Sequence, residues 1–584
     1  MTSTTTELAQ PAPAHPRAQR LTKLIAWCKK TSPNFMIREQ FVGFKTSTDG
    51  NVTAVALKDI PADMHLIRVT PELMFSARDL KRKWRAVYNE IESKIRRYTG
   101  TCTAGFLPGT EAEEPATTMA LSFALLLEMG DPESKWKPYW ESFPEHVPNI
   151  FDFDGDYSHL EGSPWREQLE KKQEAMQHIL KEIIPPILAK IKGKLGVDDV
   201  EGTLKRAYGL WQSRQLKDDV HNKRAQYLVP VLDLIDGESD KLSNVIVDDG
   251  PGSTAMHVEL VLKSSRKIEA GEELSQMYDS CSNASYLHWY GYITDSMVFG
   301  NLSHKTFMTT AQLTATALEA VEEEAAREGK EGTEERKKEV EAMTALKKDL
   351  LSRIAGKERA GGRRSLELTH RSEVFEEAAF VLTAIAKIAL CPSLEPLEKV
   401  RRSLSSNDIK DILKNADEMM TGMDGETLAP VAVGAVERIL CQLRHGDSYL
   451  RDMVALDKSG EKEANRLLIK VRMSEKFLLL RARAEVCKKL GLTDRHERPR
   501  VCDNCATFTH LRACGHCGTT AYCSRRCQVM KWREHKKAVI PPATTSSGWR
   551  RFLRVGTGGR EADTASESTV ERAVEGSREG KCMQ

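Results

Sequence analysis

Six of the 13 cysteines lie between Cys502 and Cys527, and the other seven are scattered singly over the rest of the chain. The run reads Cys502-x2-Cys505-x8-Cys514-x2-Cys517-x5-Cys523-x3-Cys527-x7-His535. Two Cys-x2-Cys knuckles, an i,i+4 cysteine pair and a histidine offer sulfur and nitrogen donors at spacings that suit tetrahedral Zn2+. Gly515, Gly518 and Asp503-Asn504 let the knuckles tighten. Ser524–His535 has a helical pattern, which puts Cys523 and Cys527 on one face. So short a segment has too little apolar area for its own core, so metal must fold it; apparent zinc free energies are roughly 10–16 kcal/mol in small modules.

From Cys502 to about Val539 the pattern resembles the MYND-type zinc finger, a cross-braced two-zinc module used for protein contacts. The resemblance implies that Cys502, Cys505, Cys523 and Cys527 share one zinc, while Cys514, Cys517 and His535 hold a second. The family closes its pattern with a cysteine four residues after that histidine, where this chain has Val539. His510, His516, a water molecule or Cys582 are the candidates for the missing ligand. A closed site of this kind can act as a folding staple alone. Partner binding is the larger expectation, because Lys531, Arg533, Lys536 and Lys537 flank Trp532, a mixture suited to an acidic or proline-rich peptide or to phosphate.

A second set of residues lies in the N-terminal half. Leu228-Val229-Pro230 with Asp233 is followed by Ala270-Gly271-Glu272-Glu273-Leu274, Tyr278-Asp279, Ser282-Asn283-Ala284 and Tyr290-Gly291-Tyr292. In that order they resemble the SET domain of the Rubisco-methyltransferase-like group of protein-lysine methyltransferases. Ala56-Leu57-Lys58-Asp59-Ile60, Lys135–Pro144 and Ser213-Arg214 extend the resemblance upstream. It spans about 21–490 and is specific only in 206–292. It implies an α+β chain: a SET β-fold with a helical insert, then an all-α C-terminal domain in the place of that group's substrate-binding domain.

By the same resemblance, the reaction is methyl transfer from S-adenosylmethionine to a lysine of a protein. Tyr278 would orient the nucleophile, Arg214 would meet the cofactor carboxylate, and Asp236-Gly237 with the Gly50 turn would line the cofactor pocket. Two motifs depart from the family. Its glycine-x-glycine stretch falls at Asn51-Val52-Thr53, beside Gly50, and its asparagine-histidine pair falls at Asp236-Gly237. An ionised Asp236 accepts hydrogen bonds but donates none, unlike an amide. Asn244 and Arg214 stand where the family has them. A lysine near pKa 10.4 must first lose its proton, at a cost of about 4 kcal/mol near neutral pH, so an apolar, acceptor-lined channel is required. Transfer to histidine by the same fold is the other acceptor chemistry.

These residues need elements to position them. Apolar spacing predicts a helix from Leu21, after a Ser/Thr/Pro-rich tail over 1–20. Val52–Val69 reads as two strands around Pro61-Ala62-Asp63. Helical spacing follows at Ala77–Arg97, Thr118–Glu128 and Pro164–Lys192, the last broken at Pro185-Pro186. Strand signals return at Tyr227–Ile235, Ser243–Val247, Met256–Leu262 and Glu273–Tyr278, so the two β-rich segments are expected to share one sheet system. After about Asp295 long charged helices take over, including Thr310–Arg327, Glu334–Ile354, Arg371–Leu390, Leu397–Leu404, Pro430–Arg444 and Glu461–Leu490.

The expected organisation is a disordered tail (1–20), a SET-like domain (21–295, insert about 76–205), a helical domain (296–490), the zinc finger (500–540) and a disordered tail (541–584). The chain's 584 residues allow several domains. Its 86 Lys+Arg against 84 Asp+Glu leave a formal net charge of +2, which argues against a nucleic-acid partner. No apolar run approaches the roughly 20 residues of a membrane span. The N-terminus lacks the apolar core of a secretion signal, so a cytoplasmic or nuclear location is expected, with an organelle transit peptide as the alternative. The competing functional reading is a non-catalytic adaptor in which a SET-fold scaffold and the finger recruit protein partners.

Overall fold

The computed structural model describes residues 15–539, apart from 48–49, 100–114, 154–155, 192–198, 218–225, 240–241, 251–258, 279–280, 302, 329–332, 356–364, 370, 403–408, 444–448, 458–461, 495–501, 505–506, 508–510, 515–516 and 518–519. The expected C-terminal tail 541–584 and most of the N-terminal one lie outside the described residues.

Order begins earlier than the composition predicts. The first helix is Pro16–Thr31, so residues 16–20 are not tail. Proline at the first helical position has the right φ and no N–H to waste. The His15 ring caps the helix by accepting from Arg17 N at 3.2 Å. Arg17, Leu21, Leu24 and Cys28 form its buried face, a helical repeat that the sequence shows only from Leu21 onward.

The β-rich segments do share a sheet system. Strand His65–Val69 pairs antiparallel with both Met36–Ile37 and Leu260–Ser264, and Val245–Asp249 closes the far edge. Val52–Ala56 pairs instead with Val42–Thr46, so the two strands around Pro61 do not form a hairpin with each other. Single bridges Val55 to Glu273 and Ile60 to Ile268 tie the early segment to the late one. The strand expected across Tyr227–Ile235 stops at Leu228, because the chain turns through the 3-10 helix Leu232–Leu234. A short parallel pair, Asp236–Gly237 with Ser275–Gln276, follows.

Between these strands the helical insert packs Pro115–Met129 against both Arg85–Thr99 and Val200–Arg214. The predicted break at Pro185-Pro186 does not occur. A π-turn over Ile179–Ile183 joins Pro164–His178 to Ile184–Ile191 and absorbs the missing donors.

The C-terminal domain is helical but not all-α. Thr306–Thr309 pairs antiparallel with Ser365–Leu368 across two intervening helices, and strands of four residues leave little pattern in the sequence. Helix Gly425–Gln442 starts five residues before Pro430, where Asp424 caps it by accepting from Thr427 N at 2.8 Å. Its neighbour Glu463–Lys489 is the central helix. On it, buried Lys476 donates to Asp452 at 2.7 Å, and Glu475 accepts from Ser163 of the insert at 2.8 Å. Ser474 accepts from Asn283 at 2.7 Å, which locks this helix to the segment carrying the site tyrosines. Among the described residues, no helix is long and apolar enough to cross a membrane.

Candidate active-site cleft and metal centre

A cleft of about 730 Å3 opens beside the parallel pair Asp236–Gly237 and Ser275–Gln276. Arg214, Asp236, Gly237 and Tyr278, singled out from sequence, all line it. Gly50 does not: the His15 ring covers it, and its neighbours Asn51, Val52 and Thr53 reach the cleft instead. Asp279 of the tyrosine motif lies outside the described residues.

The floor is built by a strained turn. Val231 holds φ at 73°, a value rare for a β-branched residue, and it is fully buried together with Leu232. The turn aims Asp233 inward, where Tyr139 Oη donates to its Oδ2 at 2.7 Å. Its other oxygen, Oδ1, is buried without a hydrogen-bond partner, and Arg214 Nε stands 4.0 Å from Oδ2. Burial pushes Asp233 up to about 6, against the pull of Arg214 and the Tyr139 hydroxyl. Asp236 also rises to about 6, through burial and then repulsion from Glu273.

Arg17 enters this floor from the first helix. Its Nη1 donates to Gly50 O at 2.7 Å and its Nε to Ser142 O at 3.4 Å. Burial, then the neighbouring Arg214, lowers it to about 10. Arg17 and Arg214 therefore offer two guanidinium groups to an anionic ligand, with Asp233 and Asp236 beside them.

The opposite side is aromatic. Ser282 caps helix Asn283–Tyr290, accepting from Ser285 N at 3.1 Å, and Gly291 ends it at φ 77°. The result places Tyr286, Tyr290 and Tyr292 around Tyr278. The Tyr278 and Tyr286 rings stack at 6.2 Å and 6°, and Tyr290 lies 4.9 Å from Tyr278. Tyr278 Oη donates to Ile235 O at 2.6 Å. Burial, then Tyr292, holds its hydroxyl well above the usual range, so the phenol stays protonated and its oxygen lone pairs can accept from an amine. Tyr292 Oη accepts from Gly237 N at 2.9 Å and donates to Gly237 O at 3.1 Å. A Cβ on Gly237 would stand 2.1 Å from Tyr286 Oη and 2.5 Å from Tyr292 Oη. This is why an imidazole has no room here.

These residues fit S-adenosylmethionine: two arginines suit a carboxylate, the orphaned Asp233 Oδ1 suits a donor, and the tyrosines suit a flat ring. Sequence reasoning missed Arg17, which sat in an apparent tail. Tyr292 was visible in the tyrosine motif but without a role, and Tyr286 carried no signal of its own.

The metal centre is local. Cys502 N donates to Thr507 O at 2.8 Å and Cys514 N to Thr520 O at 2.7 Å, which ties the first cysteine of each knuckle to a residue beyond that knuckle. Arg512–Ala513 pairs with Ala521–Tyr522, and Ser524 accepts from Cys527 N at 3.2 Å at the start of helix Arg525–Val539. The donor atoms of Cys502, Cys523 and Cys527 lie within 4.8 Å of one another, and so do those of Cys514, Cys517 and His535. His535 Nε2 is buried with no hydrogen-bond partner, as a metal-directed nitrogen would be. Both donor sets fit zinc, the first as a closed structural site once a fourth ligand is added. Cys505, and the substitutes His510, His516 and Cys582, lie outside the described residues.

Residues 502–538 match the family model of the MYND finger. This segment is a MYND finger. The finger's two described donor sets alternate along the chain, the cross-brace that the family resemblance implies. No curated protein matches the chain. Among solved structures, it is similar to the SET domain of LSMT bound to lysine and AdoHcy, at 15% identity over 82% of this chain and 92% of that one, with a TM-score of 0.47. It is also similar to Rubisco LSMT bound to AdoMet, at 15% identity over 80% of this chain and 92% of that one, with a TM-score of 0.44.

Proposed function

We propose that this protein is an S-adenosylmethionine-dependent protein-lysine N-methyltransferase whose finger binds zinc and makes protein contacts. One observation carries the reading: the Tyr278 hydroxyl, fixed on Ile235 O, shares a single cleft with Arg214, Asp236 and Gly237. The cofactor supplies a sulfonium methyl open to attack by an amine. Arg17 and Arg214 bind its carboxylate. Tyr278 accepts a hydrogen bond from the substrate amine and sets its lone pair in line, while the packed tyrosines exclude water. Positioning two reactants in one site is the main contribution. Glu238 and Glu273 at the cleft favour a cationic lysine over a neutral imidazole as the incoming side chain.

The adaptor reading draws on a different observation, that Asn51, Val52 and Thr53 line the cleft where the resembling domains have glycines. The two readings separate in one experiment. Zinc-loaded protein is titrated calorimetrically with S-adenosylmethionine, then incubated with labelled cofactor and cell-extract proteins. Micromolar binding with labelling of a lysine, lost in Tyr278→Phe while binding persists, is the expected result. Absence of both binding at millimolar cofactor and labelling overturns the enzyme and leaves the adaptor.

A further inference from the structure

The cleft has a wall that the N-terminal region does not supply. Asn504, Cys523, Ser524, Cys527 and Met530 of the finger line it together with Tyr278 and Asp236. Leu242, in the turn after Gly237, lines the cleft and also packs against the finger's buried cluster of Cys502, Cys514, Tyr522 and Cys527. That turn is rigid. Leu242 N and Ser243 N both donate to Ser239 O at 3.0 Å. Asn244, two residues on, accepts from Ser275 N at 3.0 Å and donates to Glu273 O at 2.7 Å. A continuous set of contacts therefore runs from the finger through Leu242 to the strand pair at the cleft floor.

Two of the wall residues, Cys523 and Cys527, belong to the first donor set. Asn504 Nδ2 lies 3.5 Å from Cys527 Sγ and 4.0 Å from Met530 Sδ, so the wall's polar and apolar parts are both held next to that set. The finger's buried cluster is small, and without metal the wall has little else to hold its shape.

We propose that the finger is a wall of the cofactor cleft, so that zinc on Cys502, Cys523 and Cys527 and a nucleoside ligand in the cleft reinforce each other's binding. Met530, 45% exposed at the cleft, supplies an adaptable apolar contact to the ligand. Coupling of this kind is reciprocal: the factor by which metal tightens ligand binding is the factor by which ligand tightens metal. The inference rests on the methyltransferase reading, and the probe is chosen so that the two can fail separately.

The full chain, loaded with zinc, is titrated calorimetrically with S-adenosylhomocysteine beside Met530→Asp and Val529→Ala. Val529 is 65% exposed on the same helix and does not line the cleft. Zinc content is measured on each sample, and the rate of zinc loss to a chelator is followed with and without S-adenosylhomocysteine. Expected are binding about tenfold weaker in Met530→Asp at unchanged zinc content, no change in Val529→Ala, and slower zinc loss in the presence of the ligand. Wild-type binding that Met530→Asp matches, with zinc loss indifferent to ligand, overturns the wall and leaves the methyltransferase standing. Tighter binding in Met530→Asp also overturns it, since the finger would then compete for the cleft. No binding by the wild type removes both.

Discussion

Arg17 Nη1 donates to the carbonyl oxygen of Gly50 across 2.7 Å, which pins the first helix to the turn ahead of strand Val52–Ala56. The same side chain faces Arg214 and Asp233 in the cleft, so one residue near the N-terminus reaches both the Gly50 turn and the cleft. Replacing Arg17 with Ala leaves a buried carbonyl unpaired and removes a cation from the floor. The expected loss is about 1–3 kcal/mol of stability, together with weaker S-adenosylhomocysteine binding. Denaturant unfolding and calorimetry read the two effects, and a variant unchanged in both would remove Arg17 from the site.

Gly237 is the tightest point of the tyrosine side. A methyl group there meets the Tyr286 and Tyr292 hydroxyl oxygens at 2.1 and 2.5 Å. Gly237→Ala must displace at least one ring, at about 1–3 kcal/mol for overpacking. We expect a lowered melting temperature and lost cofactor binding, with zinc content intact. Full binding by this variant would show that the tyrosine side yields more readily than its packing implies.

The finger's two donor sets should separate on mutation. Cys523→Ser removes a ligand from the first set and His535→Ala one from the second. Each is expected to lower bound zinc by about one equivalent, measured by elemental analysis of the purified chain. The cooperative unfolding of residues before 490 should persist on chelation, because their core contains no metal donor set among the described residues. Wild-type zinc content in His535→Ala would exclude that nitrogen as a ligand.

Asp236 makes a pH-dependent contribution with a definite sign. Burial raises its folded pKa to about 6 from 3.8, so the unfolded chain releases the proton first as pH rises. Stability from this group is complete below about pH 3.8 and falls as pH climbs through about 6. The loss is at most about 3 kcal/mol, at 1.36 kcal/mol per unit. Asp236→Asn should therefore be more stable than wild type at pH 8, with much of that advantage gone at pH 5. Paired melting curves at the two pH values check this, and an advantage independent of pH would refute the buried ionisation.

Much of the candidate site was legible in the residues. Tyr278, Arg214, Asp236 and Gly237 were found because their motifs occur in order within 206–292, and they line one cleft. The helices of the C-terminal half were found by apolar period, with errors at their ends. Pro430 looked like a helix start because proline favours the first turn, while the true start at Gly425 depended on an aspartate cap. The break expected at Pro185-Pro186 was absent because a π-turn supplied the slack.

The sequence by itself determined the finger and its ligand types, because metal donors within one short segment are constrained by knuckle turns and the helical repeat. It also determined which tyrosine and arginine stand at the cleft, through local motif order. Only the tertiary structure decided that Arg17 joins that cleft, that the His15 ring rather than the cleft faces Gly50, and that Met530 and Asn504 line the cleft. Those contacts join segments that are not neighbours in the chain, and no local period or spacing encodes them. They follow from how the finger's small buried cluster meets Leu242, and from how the first helix buries its arginine against a turn.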